Sequence, residues 1–182
     1  MSPPPYQAKL LVDGYNIIGA WSQLKESRDL YGLETARREL IESLINYAAV
    51  RTYQTQIVFD AHYQKTPSYS EEYTSFLSVY YTAFAETADT YIERLCAAFR
   101  SNKYQDKYAR IIVATSDRAQ QLTVTGYGAE WLSAQKLAGE VEITATKINN
   151  KKRSNKKSSG RLLFNSLDPV SQQIFQQWRQ GN

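Results

Sequence analysis

The residues best suited to chemistry in this sequence are aspartates. Asp13, Asp60 and Asp117 each follow closely on a short apolar stretch, and Asp13 is followed by Gly14 and then by Asn16. Carboxylate and amide oxygens are the ligands that hard divalent cations such as Mg²⁺ prefer. Clustered carboxylates without a counter-cation would raise one another's pKa. The pattern therefore indicates a Mg²⁺ or Mn²⁺ site, which can lower the pKa of a bound water and clamp a phosphodiester.

A second acidic segment includes Glu86, Asp89 and Glu93. Asp89 and Glu93 are four residues apart and so share one face of a helix, where like charges repel unless a cation lies between them. The segment has a structural explanation as well, because Thr90 and Glu93 have the spacing of a capping box. The strand-ending aspartates can likewise serve only as helix caps.

Other catalytic schemes have little support in the sequence. His62 is the single histidine; it follows Asp60 closely and is a candidate for substrate contact, although a lone histidine is more often a hydrogen-bonded polar residue. One cysteine and one histidine cannot form a Cys/His zinc cage. Neither a nucleophile elbow (Gly-x-Ser-x-Gly) nor a phosphate-binding loop of the Walker type occurs.

The elements that must position these residues alternate along the chain. Apolar runs predict strands at 8–13, 56–60, 78–85 and 109–114, and apolar spacings of three and four predict helices at 33–52, 88–102, from 117 to about 126, and at 129–148. Alternating strands and helices imply a parallel α/β sheet, in which ligands bind beyond the carboxyl ends of the strands. Three aspartates stand at those predicted ends.

The length of 182 residues and a hydrophobic content of 42% fit one domain over residues 1–182. Within it, the sequence predicts a basic, Ser-rich linker at about 150–160 and a C-terminal docking helix at about 168–180. No apolar run approaches the ~20 residues that span a bilayer, and no secretory signal is evident. We expect a cytoplasmic protein, or a plastid stromal one if the chain is a processed form, without a membrane partner.

Charge is distributed unevenly along the chain. Residues 1–140 carry 14 basic and 16 acidic side chains, whereas residues 141–182 carry 8 basic and 2 acidic ones. This asymmetry favours a phosphate-rich partner, with a solvated basic loop as the alternative. The candidate RNA-binding residues are Lys151, Lys152, Arg153, Lys156 and Lys157.

Aromatic residues are abundant, with 14 Tyr, 6 Phe and 3 Trp. Several fall in predicted loops or near strand ends, where an exposed ring can stack on an unpaired base. Core or surface packing explains the majority. The loop group comprises Tyr15, Trp21, Tyr63, Tyr69 and Tyr127.

Taken together, the motifs resemble the YacP-like branch of the NYN-domain family, whose fold is PIN-like. The resemblance rests on residues 11–21 (LVDGYNIIGAW), 58–62 (VFDAH), 86–89 (ETAD), 113–117 (VATSD) and 175–181 (FQQWRQG), which occur in family order over nearly the whole chain. It implies a three-layer α/β/α fold with a mainly parallel central sheet. It further implies a Mg²⁺- or Mn²⁺-dependent endoribonuclease acting on RNA, mRNA in particular, with the ribosome as a candidate partner and no small-molecule cofactor.

The resemblance also assigns roles residue by residue. Asp13, Asp89 and Asp117 would form the metal site, with Asp13 and Asp89 as its principal ligands. Asn16 would position water or phosphate. Four further residues are supporting candidates: Asp60, Glu86, Glu93 and His62.

Two alternatives to a nuclease stay open. An RNA- or ribosome-binding module with little or no catalysis would explain the basic C-terminal quarter equally well. A small-molecule phosphohydrolase is a third interpretation, but Asp13 is followed by Gly14-Tyr15 rather than by the Asp-x-Asp pattern that such an enzyme would use.

Overall fold

A six-stranded sheet forms the centre of the protein. The computed structural model describes residues 6–60, 67–101 and 108–165, with the backbone alone for 154–165. The strands are β1 (Ala8–Asp13), β2 (Tyr53–Phe59), β3 (Tyr69–Thr74), β4 (Leu77–Tyr81), β5 (Ile111–Ala114) and β6 (Glu130–Leu132). Their order across the sheet is β3-β4-β2-β1-β5-β6, and every pairing is parallel except that of β3 with β4.

Six helices complete the described fold: α1 (Gly14–Ala20), α2 (Ser22–Tyr31), α3 (Leu33–Arg51), α4 (Ala88–Arg100), α5 (Arg118–Gly126) and α6 (Ala134–Asn165). Apolar side chains pack on both faces of the sheet. On one face Leu10 and Val12 of β1 join a cluster with residues of α1, α2, α3 and the start of α6. On the other face Leu11 packs with residues of α4 and α5. The predicted mainly parallel α/β fold with three layers is thus confirmed.

Strand β1 is central and nearly completely buried, which explains its unbroken apolar sequence. Its register places Asp13 opposite Val58 of β2 and Val12 opposite Ala114 of β5. The carboxyl ends of these three neighbouring strands therefore meet at one edge of the sheet, which we call the carboxyl edge.

Four elements are missing from the sequence prediction. Helices α1 and α2 occupy a stretch where the sequence predicts neither a helix nor a strand; α1 has seven residues and α2 buries only Leu24 and Ser27, so neither gives a long apolar periodicity. Strand β3 is an exposed edge strand without a buried face. Strand β6 has three residues and replaces the start of the helix predicted from residue 129.

The chain divides into two units by its internal contacts, residues 1–144 and residues 145–182. In the second unit the described residues, 145–165, are helical. The flexible linker predicted at about 150–160 is therefore wrong, and the segment is helical instead. A helix can form there because the segment contains no proline and its Lys and Arg residues are good helix formers. The docking helix predicted at about 168–180 lies outside the described residues.

No helix within the described ranges combines the length and the apolar character needed to cross a membrane.

Candidate active site

Asp13 lies at the carboxyl edge, where β1 ends and α1 begins. Its Oδ1 accepts a hydrogen bond of 3.2 Å from the backbone N–H of Asn16, so the carboxylate caps the helix. The residue is only 9% exposed. The pKa of Asp13 is raised to about 7, mainly by burial and also by the negative charges of Asp89, Asp60 and Asp117, against the opposing effect of the Asn16 N–H.

Asp60 follows β2 and holds the start of α4 against the sheet. Its Oδ1 accepts a hydrogen bond from the backbone N–H of Ala88, the first residue of that helix. The cap itself comes from Thr87, whose hydroxyl accepts from the N–H of Thr90 at 3.2 Å. The cap at Thr87, rather than a box between Thr90 and Glu93, leaves the acidic side chains of α4 available for other contacts.

Asp89 lies in the first turn of α4, beside the other carboxylates. Its pKa is raised mainly by burial and then by the charges of Asp117, Asp60 and Glu93. A hydrogen bond from the Gln120 side-chain amide to Asp89 Oδ1 opposes the shift. Asp13, Asp60, Asp89 and Asp117 come from separate parts of the chain, and their effects on one another's pKa indicate that the fold brings them together.

Asp117 caps α5, as the structural explanation of its sequence position predicts. Its Oδ1 accepts from the backbone N–H groups of Ala119 at 2.7 Å and Gln120 at 3.0 Å. The same residue raises the pKa of both Asp13 and Asp89. Capping and membership of the acidic cluster are therefore compatible in one side chain.

Asn16 connects two sides of the site. Its side-chain Oδ1 accepts a hydrogen bond of 2.5 Å from the backbone N–H of Ser116, which precedes the Asp117 cap. This contact joins α1 to the loop between β5 and α5. The expected role of Asn16 in orienting water or phosphate stays a prediction.

The supporting candidates have separate surroundings. Glu86 forms an ion pair of 2.8 Å with Arg94. Glu93 lies close enough to Asp89 to raise its pKa. His62 lies outside the described residues, and so does Tyr63.

Gln120 is a site residue that the sequence reasoning missed. It is 2% exposed and links two acidic residues, because its side chain donates to Asp89 while its backbone N–H donates to Asp117. Its Oε1 is buried and has no hydrogen-bond partner among the residues that the structure describes. The spacing Asp117-x-x-Gln120 matches that of a capping box and could have drawn attention to it.

The donor set suits a cation held partly through water. Among the described residues no group of three His, Cys, Asp or Glu side chains is arranged to hold a metal ion directly. Mg²⁺, however, usually keeps several waters and binds through one or two carboxylates together with substrate phosphates. Asp13 and Asp89 fit that requirement, since a nearby cation would relieve the repulsion that raises their pKa.

The five candidate RNA-binding residues lie on the helical segment that follows residue 144. Lys151, Lys152 and Arg153 are exposed on α6. Lys156 and Lys157 follow on the same helical backbone. An exposed helix with this charge can offer several cations to a phosphate backbone.

Known proteins resemble the chain over most of its length. The family model described as the YacP-like NYN domain matches residues 10–180. The chain is 36% identical over 175 residues to the uncharacterized protein YacP of Bacillus subtilis (strain 168), covering 95% of this chain and 97% of that protein.

Solved structures agree with this assignment. The crystal structure of Rae1 (YacP) from Bacillus subtilis superposes with a TM-score of 0.66 at 34% identity and covers 95% of each chain. A point mutant of the same protein gives a TM-score of 0.66 at 32% identity, covering 91% of this chain and 96% of that one. The resemblance seen in the motifs is thereby confirmed, and the chain belongs to the family of YacP-like NYN domains.

Proposed function

We propose that this protein is a metal-dependent endoribonuclease that cleaves RNA phosphodiester bonds, with mRNA as its substrate and the ribosome as a partner. Membership of the YacP-like NYN family implies a nuclease-like, RNA-related function. Metal dependence is inferred from the acidic site, and the RNA substrate also from the basic residues between Lys151 and Lys157.

One observation carries the proposal: Asp13 is nearly buried, and three other carboxylates lie near enough to raise its pKa. Helix capping alone does not require such a cluster, in which burial and repulsion both disfavour the charged forms. The pKa of Asp13, raised to about 7, is the measure of that cost. Arrangements of this kind are concentrated at functional sites, where a cation or a proton is part of the chemistry.

The residues of the site have different proposed roles. Asp13 and Asp89 would hold Mg²⁺ or Mn²⁺, with Asp117 beside them. Asn16 keeps the Asp117 loop in place through Ser116, and Gln120 holds Asp89 through a hydrogen bond from its side-chain amide. The bound cation would supply a water of lowered pKa and a clamp for the phosphodiester.

Cleavage assays with charge-neutral variants test the proposal. End-labelled RNA is incubated with Mn²⁺ or Mg²⁺ and wild type, Asp13→Asn or Asp89→Asn, as free RNA and as mRNA in a translating extract. We expect each variant to lose at least about 100-fold in rate, because changes to groups that only orient metal ligands already cost about 10–100-fold. Asp29→Asn is the matched control, since Asp29 is an exposed residue of α2 paired with Arg28.

The alternatives give different results in the same assay. If Asp13→Asn or Asp89→Asn cleaves RNA at the wild-type rate, the metal-site assignment is refuted. RNA binding that persists in chelator, with no products under any divalent ion, would identify a binding module instead. Turnover of a simple phosphate monoester would favour a phosphohydrolase.

A further inference from the structure

Four aromatic rings form a continuous row near the acidic site. Tyr69 stacks on Tyr81 with a centroid distance of 4.6 Å and an interplanar angle of 19°. Tyr81 stacks on Phe59 at 5.8 Å and 28°, and Phe59 meets Tyr15 at 5.0 Å with a tilt of 52°. We call these four residues the aromatic row.

Sheet register explains why the rings align. Phe59 at the end of β2 lies opposite Tyr81 at the end of β4, and Tyr81 lies opposite Tyr69 of the antiparallel β3. Cross-strand neighbours on one face have their Cβ atoms close enough for rings to stack. The row therefore follows the carboxyl edge outward, from the buried Phe59 to Tyr69, which is 49% exposed.

The inner end of the row adjoins the acidic residues. Phe59 directly precedes Asp60, and Tyr15 follows Asp13 by two residues. An open cleft of about 380 Å³ is lined by both Tyr15 and Asp60. An RNA strand with one phosphate at the carboxylates can therefore continue along the aromatic row.

The charges beside the row favour contact with a base rather than with phosphate. The Arg37 guanidinium lies 5.2 Å from the Tyr15 ring centroid and 5.4 Å from that of Phe59, but it is paired with Glu34 at 3.0 Å. Glu71 adds a second exposed carboxylate on β3. Because the arginine is already paired and Glu71 would repel phosphate, the attractive feature at the outer end is the half-exposed side chain of Tyr69, whose ring stacks on Tyr81.

We propose that the aromatic row is a binding site for an unpaired nucleobase, which stacks on Tyr69 while the same RNA strand runs into the acidic site. This proposal rests on the proposed function and narrows its substrate to single-stranded RNA. Base–aromatic stacking tolerates every base, so the site selects for unpaired structure rather than for sequence.

Binding measured without catalysis tests the proposal. A fluorescently labelled single-stranded RNA of about 12 nucleotides, within the range of known single-strand sites, is titrated in EDTA with wild type, Tyr69→Ala and Tyr69→Phe. Loss of the ring should weaken binding by about 5- to 150-fold. Tyr69→Phe should bind like wild type because it keeps the ring face. The slope of log K against log salt should be equal for all three, since no phosphate contact is lost.

Two controls separate stacking from a general disturbance of the edge strand. Tyr73→Ala removes another exposed tyrosine of β3 that is not one of the four rings of the row, and should leave binding unchanged. A fully paired RNA hairpin offers no free base and should bind wild type and Tyr69→Ala equally.

The proposal is overturned if wild type does not bind the single strand, if Tyr69→Ala binds it like wild type, or if Tyr73→Ala or the hairpin reproduces the loss. If binding depends on Tyr69 but no divalent ion yields products, the nuclease function fails and the base site stands. If wild type cleaves RNA but binding is independent of Tyr69, the base site fails and the nuclease function stands.

Discussion

The buried Asp13 carboxyl should make the metal-free protein less stable as the pH rises. Its pKa increases from an ordinary value of 3.8 to about 7 in the folded state. Between these values the unfolded chain has released a proton that the folded protein retains, so the free energy of unfolding falls with rising pH. The folded protein is most stable, as far as this carboxyl is concerned, below about pH 4, where Asp13 is protonated in both states. That advantage is lost as the pH rises to about 7.

The size of this effect follows from the pKa. Each pH unit within the window is worth about 1.4 kcal/mol, so the whole window amounts to on the order of 4 kcal/mol. Between pH 5 and pH 8 about two units of the window remain, or about 3 kcal/mol. Asp13→Asn keeps an oxygen that can accept from the Asn16 N–H but cannot ionise, so it should not experience this loss.

Urea unfolding in EDTA at about pH 5 and pH 8 measures the difference. We expect the free energy of unfolding of Asp13→Asn, relative to wild type, to rise by about 3 kcal/mol between the two pH values. Asp29→Asn should give no such rise, because Asp29 is an exposed surface residue. Added Mn²⁺ should stabilise wild type at the higher pH more than Asp13→Asn, since only a ligand that binds the folded state shifts the equilibrium. An equal stability difference at both pH values would refute the argument from burial and repulsion.

Two further predictions concern packing and charge. Gly14→Ala should lower the free energy of unfolding, measured by urea titration, by about 1–3 kcal/mol, because a Cβ there would collide with the Phe59 ring. Gly19→Ala in the same helix is the control: its Cβ meets open space, so the substitution should be neutral or stabilising. Neutralising five of the basic residues of α6 together should flatten the salt dependence of RNA binding, and an unchanged slope in a salt series would make the segment a solvated helix. Those basic residues are Lys151, Lys152, Arg153, Lys156 and Lys157.

Much of the sheet could be predicted because its signals are local. The apolar runs of β1, β2 and β5 identify buried strands, and the aspartate at or just after the end of each follows from the chain order alone. The elements that the sequence did not predict have weak local signals. The edge strand β3 has no buried face, β6 has three residues, and α2 buries only two side chains.

The interior of the site could not be predicted in the same way. Gln120 lies 31 residues from its partner Asp89, and Asn16 lies 100 residues from Ser116. No spacing along the chain encodes such contacts, since they arise only when α4, α5 and the β5–α5 loop pack against the sheet. The aromatic row likewise depends on the register of β2, β4 and β3.

The sequence by itself therefore determined the parallel α/β class, the family and the aspartates at the strand ends, because apolar pattern and residue order are properties of the chain. Tertiary structure decided how deeply those aspartates are buried and which charges lie near them. The pKa of Asp13 rises to about 7 because folding removes water from its carboxyl and brings three distant negative charges beside it. Both causes act through space, and neither exists before the sheet has formed.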